Sequence, residues 1–315
     1  MTVAFPSRAY LFFQPISHPI VHGQLLKMNP APLSSEQLDA ILGLQGHEPC
    51  PGVEIEFERI LGELPDGHSV YATIYRPSHP STQPAPGLLA FHGGGFIVGN
   101  PNGCGEIAKT LALSMGITTV SASYRLASGC KPSYPGIFEE ASLSWRWIVE
   151  HAVELNIDPS RIAVSGESAG VLQAAHLAVD SPLLSLAPQT SRPAALISLW
   201  GCFDYVARWF DRGQSPGAEA DLLGTTYLQN PQLYHSVSPV NYTTGPLPPA
   251  FLVYGSQDRV VHLRQGKIAH AAWQAAGSRS ELKILDNIGH DTIGDTRHPR
   301  EQALHAAVKF LAAHL

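Results

Sequence analysis

Ile162-Ala163-Val164-Ser165-Gly166-Glu167-Ser168-Ala169-Gly170 is a short apolar run that ends in Gly-x-Ser-x-Gly. A helix-compatible segment, Val171-Leu172-Gln173-Ala174-Ala175-His176-Leu177-Ala178, follows it directly. Strand, sharp turn and helix form the context in which this pattern becomes a nucleophile elbow. The physics is steric. A serine at the tip of so tight a turn carries backbone strain, and glycines at 166 and 170 let strand and helix approach closely. The helix start then aims unpaired N–H groups and a positive dipole end at negative charge developing beside Ser168. Alone, the five-residue pattern also fits a turn that merely contains a serine, so its surroundings must decide.

The surroundings alternate strand and helix. Val53 to Leu61 alternates apolar and acidic residues, Pro65-Asp66-Gly67-His68 is a turn, and Val70 to Tyr75 resumes the alternation, so the two strands read as an antiparallel pair. Pro77 to Pro86 reads as a loop. Strands are then expected at Gly87–Phe91, Ile117–Ser123, Ile162–Ser165, Pro193–Leu199, Ala250–Tyr254 and Glu281–Leu285. Helices are expected at Gly105–Ser114, Pro135–Glu154, Val261–Ala276 and Arg300–Leu315. This order implies an α/β fold with a mostly parallel central sheet flanked by helices on both faces. Two regions break the rhythm. Residues 1–50 hold many prolines and one capped short helix, Ser34 to Leu42, with Gln37 three positions after Ser34. Residues 203–247 are rich in Gly, Pro, Tyr and Asp, with short helices expected at Asp204–Phe210 and Ala218–Leu223, and read as an insertion between two strands.

Bulk properties bound the function. The chain has 315 residues, 44% apolar and 15% charged, enough for a sizeable core. A net charge of −6 without a basic cluster disfavours nucleic acid as a partner. Cys50, Cys104, Cys130 and Cys202 form no C-x-x-C pair, and the 15 histidines show no metal-ligand spacing, so no metal site is expected and the histidines read as surface residues. Ala9-Tyr10-Leu11-Phe12-Phe13 is cut short by Gln14 and Pro15, too brief for a signal-peptide core, and no stretch is long enough to cross a bilayer. The expectation is a soluble cytoplasmic protein, with pairing into a homodimer through an edge strand or late helix as an option.

A serine hydroxyl needs a base, a group that orients the base, and donors for an oxyanion. His92-Gly93-Gly94-Gly95-Phe96 follows the strand Gly87–Phe91 and offers unshielded backbone N–H groups. It lacks the G-x-G-x-x-G form of a dinucleotide loop. Asp258 follows the strand Ala250–Tyr254 at its C-terminal end, where functional groups of open α/β sheets gather. Its competing role is that of a helix N-cap, and Asp286 and Asp291 compete for the acid role. His290, past the strand Glu281–Leu285, is the candidate base. The order Ser168, Asp258, His290 is that of nucleophile, acid and base in the α/β-hydrolase fold.

These pieces, together with Tyr124-Arg125-Leu126-Ala127, run in one order across roughly residues 55 to 315, and the chain resembles the hormone-sensitive lipase family of α/β-hydrolase esterases, also called family IV. The resemblance implies a serine carboxylesterase that acts on short-to-medium acyl esters without a metal or organic cofactor. It implies Ser168, Asp258 and His290 as the triad and Gly94, Gly95 and Ala169 as oxyanion donors. It further implies a cap from residues 1–50 and 203–247 over a catalytic domain of 51–202 and 248–315. Phe96, Glu167, Phe203 and Trp209 are expected near the substrate, and the aromatic residues Tyr10, Phe12, Phe13, Tyr205 and Phe210 either line the pocket or pack cap against core. Three positions depart from the family pattern: Glu167 stands for the usual aspartate, Val171 for a glycine, and Ser128-Gly129 for Pro-Glu. The same triad also suits amide or lactone hydrolysis, acyl transfer or cyclisation. A non-catalytic receptor on this fold is a further alternative, though receptors of this kind carry a damaged triad and here all three residues are present.

Overall fold

The computed structural model describes residues 46–128, 131–187, 190–290 and 297–315. The helix expected at Ser34–Leu42, and the 1–50 segment up to residue 45, lie outside the described residues.

Among the described residues, eight strands form one sheet: β1 (Val53–Glu63), β2 (Ser69–Pro77), β3 (Ala85–Phe91), β4 (Thr118–Ala122), β5 (Ile157–Glu167), β6 (Leu196–Leu199), β7 (Ala250–Gly255) and β8 (Ser280–Leu285). Their spatial order is β1-β2-β4-β3-β5-β6-β7-β8. The pairs β1–β2 and β2–β4 are antiparallel, and every pair from β4–β3 onward is parallel. The parallel strands β3, β4, β6 and β7 are almost wholly buried, as strands covered on both faces must be. Edge strand β1 keeps the expected alternation only at its start, where Val53 is buried and Glu54 exposed. Register breaks between Glu56 and Arg59 and between Ile60 and Gly62 interrupt it, and Phe57 and Ile60 are left 46% and 59% exposed.

The helices are α1 (Gly105–Met115), α2 (Gly136–Glu150), α3 (Val171–Ala178), α4 (Tyr205–Asp211), α5 (Ala218–Leu223), α6 (Pro231–Ser236), α7 (Arg264–Ala275) and α8 (Arg297–His314). The central position of β5 explains why α3 is buried at every residue: it packs behind the strand that carries Ser168. Helices α4, α5 and α6 all lie in the insertion between β6 and β7.

Several boundaries differ from the sequence reading. β5 starts at Ile157 rather than Ile162, because Asp158 ties the chain locally through Ser160 and Arg161 without breaking the extended path. α2 stops at Glu150, with 151–156 forming turns instead of the extra helical residues that apolar spacing implied. α6 was not foreseen; Asn230 caps it by accepting from Leu233 N–H, followed by Pro231 at its first position.

The reading of the histidines as surface groups fails for two of them. His92 and His176 are 1% and 0% exposed. His92 stacks on Tyr124 with ring centroids 4.2 Å apart, and His176 lies edge-on to Phe138. Burial holds each imidazole near a pKa of about 4, against the small opposing effect of one backbone carbonyl each, from Gly93 and Val237. Both are therefore neutral in the folded chain at pH 7. A depressed histidine pKa contributes its full stability above about 6.5 and loses it as pH falls towards 4, because the unfolded chain takes up the proton first. Each histidine should cost about 3 kcal/mol across that window. Thermal unfolding followed by circular dichroism should show Tm falling steeply between pH 6.5 and 4; a flat Tm there would contradict this account.

Candidate active site

The elbow is strained where the sequence reading placed strain. Ser168 has φ 50°, a left-handed value that costs a non-glycine residue energy. The glycines on either side have no alternative. A Cβ on Gly166 would lie 2.4 Å from the Gly170 backbone, and one on Gly170 would lie 2.2 Å from the Phe91 carbonyl oxygen. After the turn the backbone enters a 3-10 turn, Ser168–Gly170, and then α3, so the Ala169 N–H belongs to a helix start.

Three strand ends meet here. Ser168 follows β5, Asp258 follows β7 and His290 follows β8. Ser168 Oγ lies 2.8 Å from His290 Nε2, and His290 Nδ1 lies 2.8 Å from Asp258 Oδ2. An ionised carboxylate can only accept, so Nδ1 carries the proton and Nε2 is left to accept from the serine. Asp258 is 3% exposed, and its Oδ1 accepts from the backbone N–H groups of Val260 and Val261, both at 2.8 Å. The N-cap alternative is thus half right: Asp258 organises the turn, but α7 begins only at Arg264. The loops after β7 and β8 are stitched together. Ser256 N–H donates to Leu285 O, Gln257 N–H to Ile288 O, and Asn287 N–H to Ser256 Oγ. This fixes the Asp258–His290 distance through backbone. Of the competitors, Asp286 is exposed, and Asp291 lies outside the described residues.

The glycine loop sits opposite. Gly94 has φ +121°, and a Cβ there would meet the Val98 carbonyl oxygen at 2.0 Å, so only glycine fits. Among the described residues, the N–H groups of Gly94 and Gly95 have no acceptor. Tyr124 buttresses this loop: its hydroxyl donates to His92 O at 2.8 Å while its ring stacks on the imidazole. Arg125 binds the buried Glu140 at 2.5 Å and Asp66 at 2.7 Å. The Tyr124–Ala127 segment is therefore scaffolding for the loop, and Ala127 N–H donates to Phe96 O at 2.7 Å.

A cavity of about 210 Å3 opens on Ser168 and His290 and is lined by Gly94, Gly95, Phe96, Ala169 and Tyr205, among others. Phe96 thus falls where the sequence reading put it. Glu167, Phe203 and Trp209 do not line this cavity. Glu167 borders a separate void of about 20 Å3 with Trp200 and Arg300. Phe203 packs edge-on against Trp273, and Trp209 packs between Tyr227 and Tyr234. Phe203 thus joins the insertion to the core, whereas Trp209 packs within the insertion itself. Sequence reasoning missed Cys202, Arg208 and Val260 as lining residues. The signals were there. Cys202 follows the C-terminal end of β6, and Tyr205 and Arg208 stand three apart on a helix that Asp204 caps.

A family model described as alpha/beta hydrolase fold matches residues 88–294, more than half of the chain. Among curated proteins, the chain is similar to ethyl acetate hydrolase of Pseudomonas putida, 38% identical over 108 residues that cover 33% of each protein. It is also similar to acetyl esterase of Salmonella choleraesuis, 28% identical over 233 residues, covering 70% of this chain and 68% of that one. Esterase LipI of Mycobacterium tuberculosis matches at 37% over 114 residues, 36% of this chain and 34% of its own length. The chain thus spans about a third of the length of the first and last of these relatives. Among solved structures, apo esterase 2 of Thermogutta terrifontis superposes with a TM-score of 0.68 at 23% identity, covering 86% of this chain and 97% of that one.

Proposed function

The chain belongs to the alpha/beta hydrolase fold family, in its hormone-sensitive-lipase-like branch, and from that premise we propose that it is a serine carboxylesterase for short-to-medium acyl esters. One observation carries the reading: the continuous relay from Ser168 Oγ through both nitrogens of His290 to Asp258, with 2.8 Å at each step.

In this mechanism Ser168 Oγ attacks the ester carbonyl carbon, and His290 Nε2 takes its proton. Asp258 holds the ring in the required tautomer and stabilises the imidazolium. The N–H groups of Gly94, Gly95 and Ala169 receive the oxyanion. His290 then protonates the leaving alcohol, and an acyl-enzyme remains on Ser168. Water, deprotonated by the same imidazole, releases the acid and restores the hydroxyl. The cavity of about 210 Å3 supports a small substrate, since drug-sized ligands occupy roughly 300–1,000 Å3. Ethyl acetate hydrolase and acetyl esterase among the relatives point the same way.

The insertion 203–247, which supplies Tyr205, Arg208 and Ala218 to the cavity wall, acts in this reading as a cap together with the N-terminal segment. Among the described residues, no helix is long and apolar enough to cross a membrane. The reading is tested by mixing the purified chain with p-nitrophenyl esters of two to eight acyl carbons. Turnover should be highest at the short end, and no release of p-nitrophenol from any of them would overturn it.

A further inference from the structure

A second cavity, of about 170 Å3, adjoins the one beside Ser168, and Arg208 and Val260 line both. Asp211, Arg212, Arg259 and His262 contribute its other walls. Three guanidinium groups thus border one small space in a chain whose net charge is −6. Their neutralisation is incomplete. Glu219 binds Arg208 at 2.8 Å, and Asp211 is engaged at 2.9 Å by a fourth arginine, Arg264. Arg259 has no carboxylate partner among the described residues. Four arginines against two carboxylates leave two positive charges over.

Arg208 is the built part of this wall. It is 7% exposed, with Nε donating to Glu219 and Nη1 donating to Val260 O at 2.6 Å. Its remaining nitrogen, Nη2, has no acceptor among the described residues. Arg212 Nε is buried without a hydrogen-bond partner, 4.0 Å from Glu219 Oε1, which is also unpartnered. Buried N–H groups of a cation are costly when left without acceptors. A planar carboxylate supplies two acceptor oxygens in the geometry a guanidinium fork prefers.

We propose that this second cavity is an anion subsite, and that the preferred substrate is an ester that also carries a carboxylate, seated among Arg208, Arg212 and Arg259 while the ester carbonyl lies at Ser168. The proposal rests on the esterase reading and narrows its substrate class. Arg208 and Val260, common to both cavities, set the short distance between the two groups of the substrate.

The test compares monoethyl glutarate with ethyl pentanoate, using the full chain and its Arg212→Gln/Arg259→Gln variant. Both side chains are solvent-accessible in part, so the substitutions spare the core. The wild-type chain should favour the carboxylated ester at least tenfold in kcat/KM. The preference should shrink with added salt and fall at least tenfold in the variant. A wild-type ratio at or below one, or a ratio that the variant leaves unmoved, would overturn the subsite. Calorimetric titration of the Ser168→Ala chain with monoethyl glutarate separates this from the esterase reading. Binding that weakens at least tenfold when Arg212 and Arg259 are replaced supports the subsite even if neither ester is cleaved, an outcome that would remove the esterase reading alone. Cleavage of both esters without preference removes the subsite alone. Absence of both cleavage and binding removes both.

Discussion

Replacing Ser168 with alanine should lower kcat for a short aryl ester by roughly 10^4- to 10^6-fold and leave the fold intact. The hydroxyl is the only group removed. The Cβ and the φ of 50° stay, so the strain of the elbow is unchanged and the glycines at 166 and 170 still permit the close passage of strand and helix. Steady-state release of p-nitrophenol measures the loss, and circular dichroism and Tm report the fold. What turnover remains would come from the oxyanion N–H groups and from substrate binding, which the substitution does not touch. A Ser168→Ala chain with undiminished kcat would place the chemistry elsewhere.

The Asp258→Asn chain should be slower by about 10^4-fold, for a reason specific to this site. Asp258 Oδ1 is pinned by two backbone donors, the N–H groups of Val260 and Val261, each at 2.8 Å. An asparagine there must keep its oxygen towards those donors, because turning its amide round would set N–H against N–H twice. Its NH2 group then faces His290 Nδ1, which is forced to accept. The ring proton moves to Nε2 and points at Ser168 Oγ, so the base can no longer take the serine proton. The volume is unchanged, and the backbone contacts survive, so stability should change little. The nitrogen chemical shifts of His290 in labelled protein would report the exchanged tautomer directly. A variant with the wild-type tautomer and wild-type rate would contradict the assignment of Asp258.

Much of this molecule is legible in its sequence. The parallel strands announced themselves as short unbroken apolar runs, and Gly-x-Ser-x-Gly between such a run and a helix located the middle of the sheet at β5. The candidate base and acid were legible because each stands just past a strand end. What sequence could not supply was the direction of side chains in the insertion. Phe203 and Trp209 looked like pocket residues because they are aromatic residues of the insertion, yet burial of large apolar rings wins: both are 2% exposed or less, Phe203 against Trp273 and Trp209 between Tyr227 and Tyr234. Arg208 carries no sequence signal for burial, yet Glu219, eleven residues on, draws it inside through a buried ion pair. Glu167 sits next to Ser168 in sequence, but successive strand residues face opposite ways, which sends it to the far side of the strand end, near Trp200 and Arg300. Histidines 92 and 176 were hidden for a similar reason: each is kept neutral by burial against a ring neighbour, Tyr124 or Phe138, that local sequence does not reveal.

The central claim is that Ser168 is a nucleophile activated by His290. It is tested most directly by incubating the chain with diisopropyl fluorophosphate and reading intact mass and peptide masses. The account predicts one adduct per chain, mapped to Ser168, absent from the Ser168→Ala chain and slow to form in the Asp258→Asn chain. A chain that stays unlabelled, or that is labelled at another residue while Ser168 remains free, would contradict it.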